Sequence, residues 1–225
     1  MNEIIYHGSK DIIKTPIYGA GKPYNDYGRG FYCTQSLEMT KEWAVEKDRD
    51  GYANKYQIST EGLNILDLNN SKYTFLHWLT ILLTYRTFNI LSPLANEARD
   101  YLIKNFSVSL DGIDIVLGYR ADDSYFSYAQ DFINGTISYR QLCNALTLGK
   151  LGQQFVIISK RAFEKIEYLG SEKASALEWY PKKEIRDKMA RNDYINSKNN
   201  TTQKGDIYIT TILDEEIKPD DTRLR

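Results

Sequence analysis

The strongest constraint on this chain is where its β-type runs fall. Short ones lie near both ends, and the middle is helical. Glu3 to Tyr6 reads as a strand that ends at His7-Gly8-Ser9, where Gly8 lets the backbone turn or approach a ligand closely. Pro16, Gly19, Gly21 and Pro23 mark a loop. Phe31 to Thr34 reads as a second short strand. From Ser36, a suitable N-cap, the period turns helical through Met39, Trp43 and Ala44. Tyr52 to Ile58 and Leu63 to Leu68 read as strands of a meander. Ser71 to Phe88 and Leu94 to Phe106 read as helices interrupted at Pro93, a helical insert over residues 71–106.

Gly112 to Gly118 is β-branched enough for a buried strand, and Asp123 to Asn134 and Ser138 to Leu146 read as helices. Gln154 to Ser159 predicts a further strand, followed by a short helix or turn at Arg161-Ala162-Phe163. Lys173 to Ala190 reads as a charged helix around Pro181, Ser197 to Gly205 as a polar loop, and Asp206 to Leu213 as a final strand. No internal repeat is present. This order predicts one α+β domain with two small, packed, mostly antiparallel sheets. Residues 1–170 hold that domain, and residues 171–225 form an extension packed on it.

A chain of 225 residues can bury a real core, and 42% apolar with 26% charged residues reads as soluble and globular. The net charge of −1 argues against a globally basic nucleic-acid binder, though not against a local basic groove. The apolar run Trp78 to Leu83 is too short for a bilayer, and Met1-Asn2-Glu3 lacks a basic leader. With Cys33 and Cys143 unclustered, a reducing cytoplasm is the expected home and no membrane partner is expected. His7 and His77 with those cysteines make no zinc site, so metal catalysis is set aside.

Breaking the nicotinamide–ribose bond of NAD⁺ makes definite demands. The ring must be held by its carboxamide edge and stacked on its face, the developing ribosyl cation stabilised, and the adenosine ribose anchored. The sequence offers a matching set. His7 and Gly8 close a strand, Tyr32 follows Gly30, and Thr40 and Trp43 lie eight and eleven residues past Tyr32 on one helix face.

Tyr6-His7-Gly8-Ser9 and Gly28-Arg29-Gly30-Phe31-Tyr32, continuing to Trp43, resemble the first two motifs of the ADP-ribosyltransferase superfamily. The likeness is to its diphtheria-toxin and poly(ADP-ribose) polymerase branch with a His-Tyr-Glu triad. The resemblance implies that His7 anchors the adenosine ribose, Gly8 binds the nicotinamide amide through its backbone, and Tyr32 stacks on the ring. It further implies that Thr40, in place of Ser, contacts the carboxamide and that Trp43, in place of Tyr, closes the sandwich. Over about Ile5 to Leu169 the chain also resembles a bacterial family of uncharacterised domains. That likeness rests on Asn25 to Tyr32, Trp78 to Arg86, Asp114 to Gly118 with Ala121-Asp122-Asp123, and Gln154 to Ile157. Such domains look like members of the same transferase group and are often encoded in toxin–antitoxin-like modules.

One departure matters. The third motif normally supplies a Glu at the start of a late strand, and here the position holds Gln154 beside Gln153. An amide can bind ribose hydroxyls but offers no charge to an oxocarbenium ion, and losing one such group costs roughly a hundredfold or more. This argues against polymer synthesis and leaves Glu178, Glu215 and Glu216 as acids that could reach in from the tail. Other residues carry two readings. Trp43 is a stacking residue or helix core. Asp26 and Arg29 orient their loop, contact a pyrophosphate, or form a solvated turn. Asp122-Asp123 caps a helix or faces an acceptor. Lys182 to Lys188 is a solvated helix face or a grip on phosphates. His77 is read as structural, and Cys33 as buried.

The expected function is mono-ADP-ribosyl transfer from NAD⁺ as co-substrate to a macromolecular acceptor, protein or nucleic acid. The setting expected is a toxin of a toxin–antitoxin or phage-defence module, with an antitoxin protein as a possible partner. The expected rivals are a catalytically weak NAD⁺ or ADP-ribose binding module, an RNA 2′-phosphotransferase, which would need an Arg–His–Arg set, and an adaptor with a vestigial cleft.

Overall fold

The computed structural model describes residues 1–121, 123–147, 152–199 and 203–225. It is a mixed α+β fold with two sheets. Strand β1 (Asn2–Ser9) pairs antiparallel with β3 (Gly51–Ser59), which pairs antiparallel with β7 (Ile166–Ala174). The second sheet runs β2 (Phe31–Cys33), β6 (Gln153–Ile157), β5 (Ile115–Tyr119) and β4 (Ile65–Asp67). Its pairs are antiparallel except β4 with β5, which is parallel. The two sheets meet at one bridge, Tyr6 to Thr34, where each backbone N–H donates to the other residue's carbonyl at 2.8 and 2.9 Å.

Between the sheets lies a small apolar core of Ile5, Phe31, Cys33, Tyr56, Ile157 and their neighbours. A larger core forms where the second sheet meets the helices. These are α2 (Phe75–Tyr85), α3 (Pro93–Phe106), α4 (Asp123–Ile133), α5 (Tyr139–Thr147) and α8 (Ile209–Asp214), with Trp78, Leu79, Leu82 and Phe106 among its fully buried side chains. Burial of side chains this size is what holds such a layered fold together, at about 1.5–3 kcal/mol each. Helix α1 (Leu37–Ala44) starts where expected, with the Ser36 hydroxyl accepting from the Met39 amide at 3.2 Å. Short α6 (Lys160–Phe163) and long α7 (Ala176–Asn199) complete the chain's regular elements up to α8.

Several expectations are corrected. Tyr52 to Ile58 and Leu63 to Leu68 form no meander, because β3 has β1 and β7 on its two edges and β4 joins the other sheet. Asp114 fixes that change of sheet: its carboxylate accepts the Asn64 amide at 2.7 Å and binds Ser159 and Arg161. In place of the final strand over Asp206 to Leu213, an irregular segment, residues 206–208, leads into α8. Ile209 and Ile212 are fully buried at helical spacing, and the Thr211 hydroxyl accepts the Tyr208 amide at 3.4 Å. Strand β7 was not expected; its IEYLGSEKA sequence, a third charged, gives little β signal, and pairing with β3 supplies what propensity does not. It spans the expected division between residues 170 and 171, and Lys173–Ala174 belong to it rather than to the following helix. The expected helix Ser71 to Phe88 is shorter, Phe75–Tyr85, capped by His77, whose Nδ1 accepts the Thr74 amide at 2.9 Å. Ser197 to Asn199 close α7 rather than open a loop.

Candidate functional site

Strand β1 splits from β2 just after the Tyr6–Thr34 bridge, and a cleft of about 1070 Å³ opens there. Tyr6 contributes its backbone to the bridge and is not a cleft-lining residue. In an antiparallel ladder the N–H and C=O of one residue point to the same side, alternating along the strand. Tyr6 turns both groups to Thr34, and the β1–β3 register is unbroken, so Gly8 turns both of its groups the same way, into the cleft. A Cβ on Gly8 would lie 2.5 Å from the Thr40 carbonyl oxygen and 3.0 Å from the Ala44 nitrogen. Only glycine lets β1 and α1 approach this closely.

His7, Tyr32, Trp43, Gly30 and Gln154 all line the cleft. His7 Nδ1 sits 2.7 Å from the Tyr32 carbonyl oxygen. A carbonyl only accepts, so Nδ1 carries the proton and Nε2 is an acceptor. Burial lowers the His7 pKa below its usual 6.5, against the raising effect of that bond, so the imidazole is neutral. Its ring stacks on Phe31 with centroids 4.4 Å apart. The Tyr32 hydroxyl donates to the Gly28 carbonyl at 2.7 Å and accepts the Tyr27 amide at 3.0 Å. Gly28 has a φ of 71°, which glycine adopts without strain. Burial pushes the Tyr32 phenol well up, so it stays protonated.

Gln154 lies on β6 opposite Gly118, one residue beyond the end of the β2 pairing. It is 6% exposed, and its Oε1 is buried with no hydrogen-bond partner among the described residues. A buried amide oxygen left open on a cleft is costly unless something donates to it.

Other expected site residues are placed differently. Thr40 is fully buried, its hydroxyl donates to the Ser36 carbonyl at 2.8 Å, and it does not line the cleft. Helical position returns a Thr hydroxyl to the preceding turn, and sequence spacing does not see this. Ser9 lines the cleft, but its hydroxyl donates to the Asp11 carbonyl at 2.6 Å and accepts from Asn54 at 3.0 Å. Arg29 is turned away and ties down the loop through the Gly19 and Gly21 carbonyls, at 3.0 and 3.2 Å. Glu178, Glu215 and Glu216 do not line the cleft; Glu178 pairs with Lys182 and Glu215 with Arg223. Arg186 of the basic stretch pairs with Glu42 of α1. Asp122 lies outside the described residues.

Two arginines that sequence reasoning passed over line the cleft, Arg86 and Arg120, together with Lys10 and Lys22. Arg86, at the C-cap of α2, donates to Asp26 at 2.8 Å and lies over the Phe126 ring, 4.6 Å from its centroid. The other Asp26 oxygen accepts the Ala121 amide at 2.9 Å. Burial raises the Asp26 pKa; the Ala121 bond and Arg86 oppose that. The Arg120 guanidinium lies over Trp43, 3.7 Å from its ring centroid. Nothing in the local sequence distinguishes these arginines; long-range folding brings them together. Among the described residues lining the cleft, Asp26 is the one carboxylate. No group of three or more His, Cys, Asp or Glu is placed to hold a metal, and no helix is long and apolar enough to cross a membrane, among the described residues.

The chain belongs to the family described as protein of unknown function DUF3990, which matches residues 3–168. That span covers every residue lining the cleft. Neither a curated protein nor a solved structure matches the chain.

Proposed function

We propose that this DUF3990 member binds NAD⁺ in the β1–β6 cleft and transfers its ADP-ribose to a macromolecular acceptor, protein or nucleic acid, one unit at a time. The observation that carries the reading is the bond between His7 and the Tyr32 carbonyl, which holds the two motifs against one cavity with Gly8 and Gln154 on its walls. The volume of about 1070 Å³ lies at the upper end for small-molecule sites, which suits a dinucleotide.

In this reading His7 Nε2 accepts a hydroxyl of the adenosine ribose. The nicotinamide carboxamide pairs with the Gly8 N–H and C=O, extending β1 by one bridge beyond Thr34. The nicotinamide ring of NAD⁺ is a planar cation, as is the Arg120 guanidinium that covers Trp43. The ring takes Arg120's place against Trp43 beside Tyr32, and Arg120 turns with Arg86 to the pyrophosphate. Gln154 Oε1 accepts a hydroxyl of the nicotinamide ribose.

The C1′–N bond then breaks, nicotinamide leaves with the bonding pair as a neutral amide, and an acceptor nucleophile closes on C1′ and gives its proton to solvent. Asp26 is held by Arg86 and Ala121, so it supplies no free base. The acceptor must therefore bring a nucleophile that attacks without one, which disfavours chain growth on ribose hydroxyls.

Gln154 in the Glu position favours a second reading, an NAD⁺-binding module without transfer. NAD⁺ labelled in the adenylate, incubated with cell lysate, separates the two. Transfer by wild type but not by His7→Ala or Tyr32→Ala supports the enzyme, and nuclease or protease sensitivity of the product names the acceptor class. Tight NAD⁺ binding without label transfer or nicotinamide release supports the module. Growth arrest on induction, lost in His7→Ala, tests the toxin role.

A further inference from the structure

A second cavity of about 640 Å³ lies away from the NAD⁺ cleft, between the β4–α2 turn, α5 and the 203–207 and 223–225 segments. The end of β5 divides the two. Tyr119 lines this cavity and Arg120 the cleft, as alternation along an extended chain requires. The divide is firm, because the Tyr119 carbonyl accepts both the Tyr27 hydroxyl at 2.6 Å and the Trp78 indole at 3.1 Å.

The walls are aromatic: Tyr73, Phe75, Tyr119 and Tyr139. Phe75 and Tyr119 face each other at 4.7 Å between centroids, and the Tyr139 hydroxyl is spent on the Leu224 carbonyl at 2.9 Å. These rings therefore present faces and edges more than polar groups. At one side lie Asn69 and Asn70. Asn69 gives a side-chain amide N–H to Asp67 at 2.8 Å, and Asn70 uses its side-chain carbonyl for the Lys72 amide at 3.1 Å; among the described residues the Asn69 carbonyl and the Asn70 N–H₂ have no partner. One acceptor and one donor on adjacent residues match the edge of a nucleobase. At the rim, Arg223 is paired with Glu215 and Asp221. Asp206 is neutralised by two bonds to Arg140, at 2.7 and 2.8 Å, while Lys204 has no ion pair among the described residues. Cys143 also lines the cavity, but burial pushes its thiol up to about 12, so it is no nucleophile.

We propose that this cavity binds a nucleotide, base between the tyrosine faces and Asn69–Asn70, phosphate toward Lys204. Its volume fits one nucleotide rather than two, in the middle of the range for small-ligand sites. Aromatic faces stack a base without regard to its sequence, and Lys204 adds a salt-dependent share.

The test is calorimetric titration of the full chain with AMP. Expected is binding that weakens about tenfold in Lys204→Glu and in Tyr73→Ala, both still folded by circular dichroism, and that survives His7→Ala. NAD⁺ binding should be unchanged in Lys204→Glu, so this site and the cleft fail or stand separately. Competition of AMP by a short single-stranded oligonucleotide identifies the nucleotide as part of a strand; AMP binding without competition identifies it as free. AMP binding abolished by His7→Ala but indifferent to Lys204→Glu and Tyr73→Ala, or no AMP binding at millimolar concentration, overturns the proposal.

Discussion

The Nδ1 atom of His7 lies 2.7 Å from the carbonyl oxygen of Tyr32, a contact across 25 residues of sequence. It makes one site of two segments. The same bond fixes the tautomer, so Nε2 is left as an acceptor, and burial keeps the ring neutral.

The pH dependence of stability follows from that burial. The folded-state pKa of His7 is lowered from 6.5 by desolvation, and that of His77 likewise. Below about pH 6.5 the unfolded chain takes up protons that the folded chain refuses, so the contribution present above 6.5 is lost as pH falls toward the folded-state value. Urea unfolding at pH 7.5 and 5.5 should show wild type losing stability at the lower pH, with a smaller loss in His7→Gln. An equal loss in both would remove His7 from the account.

Gly8→Ala should damage both fold and site. Its Cβ meets backbone atoms of α1 at 2.5 and 3.0 Å, which cannot rotate away. Overpacking of this kind costs about 1–3 kcal/mol. A lowered melting temperature with NAD⁺ affinity reduced at least tenfold is expected; a variant with wild-type affinity would separate β1–α1 contact from binding.

Tyr32→Phe keeps the ring but strips the Tyr27 amide and the Gly28 carbonyl of their shared partner. Unmade buried bonds cost about 1–3 kcal/mol each. Hydrogen exchange should accelerate at the Tyr27 amide, and NAD⁺ should bind more weakly because the Asn25–Gly30 wall loosens. An unchanged exchange rate at Tyr27 would show that the hydroxyl does not hold the loop.

Trp43 should report occupancy. Of the three tryptophans, Trp78 is fully buried in the helical core and Trp179 lies on α7 under Lys41 and Lys182. NAD⁺ should quench fluorescence in wild type and not in Trp43→Phe. In Arg120→Ala, 1-methylnicotinamide, which keeps the pyridinium charge of NAD⁺, should quench more strongly, since its competitor for the indole face is gone, while NAD⁺ binds more weakly. Equal quenching by 1-methylnicotinamide in wild type and Arg120→Ala would refute the exchange of one planar cation for another.

Much of the cleft was legible because its first residues are local. Strand, turn and helix from His7 to Trp43 follow from glycine placement, a Ser cap and helical spacing, and the fold class followed from the strand–helix order. What was hidden depends on pairings made far along the chain. The β4–β5 pair is parallel, β7 joins β3 with a register shift at Lys55/Tyr56, and the 209–212 run is helical because its isoleucines meet a helical core. Arg86 and Arg120 could not be chosen among 29 basic residues until Asp26 and Trp43 were seen beside them. Thr40 shows the reverse: its spacing fits a site, while its hydroxyl donates within its own helix.

Calorimetric titration of NAD⁺ into the full chain tests the central claim most directly. One site per chain is predicted in wild type, with affinity reduced at least tenfold in His7→Ala and in a Trp43→Leu variant that unfolds at the wild-type urea midpoint. Absence of binding at millimolar NAD⁺, or equal binding by the wild type and both variants, would contradict it.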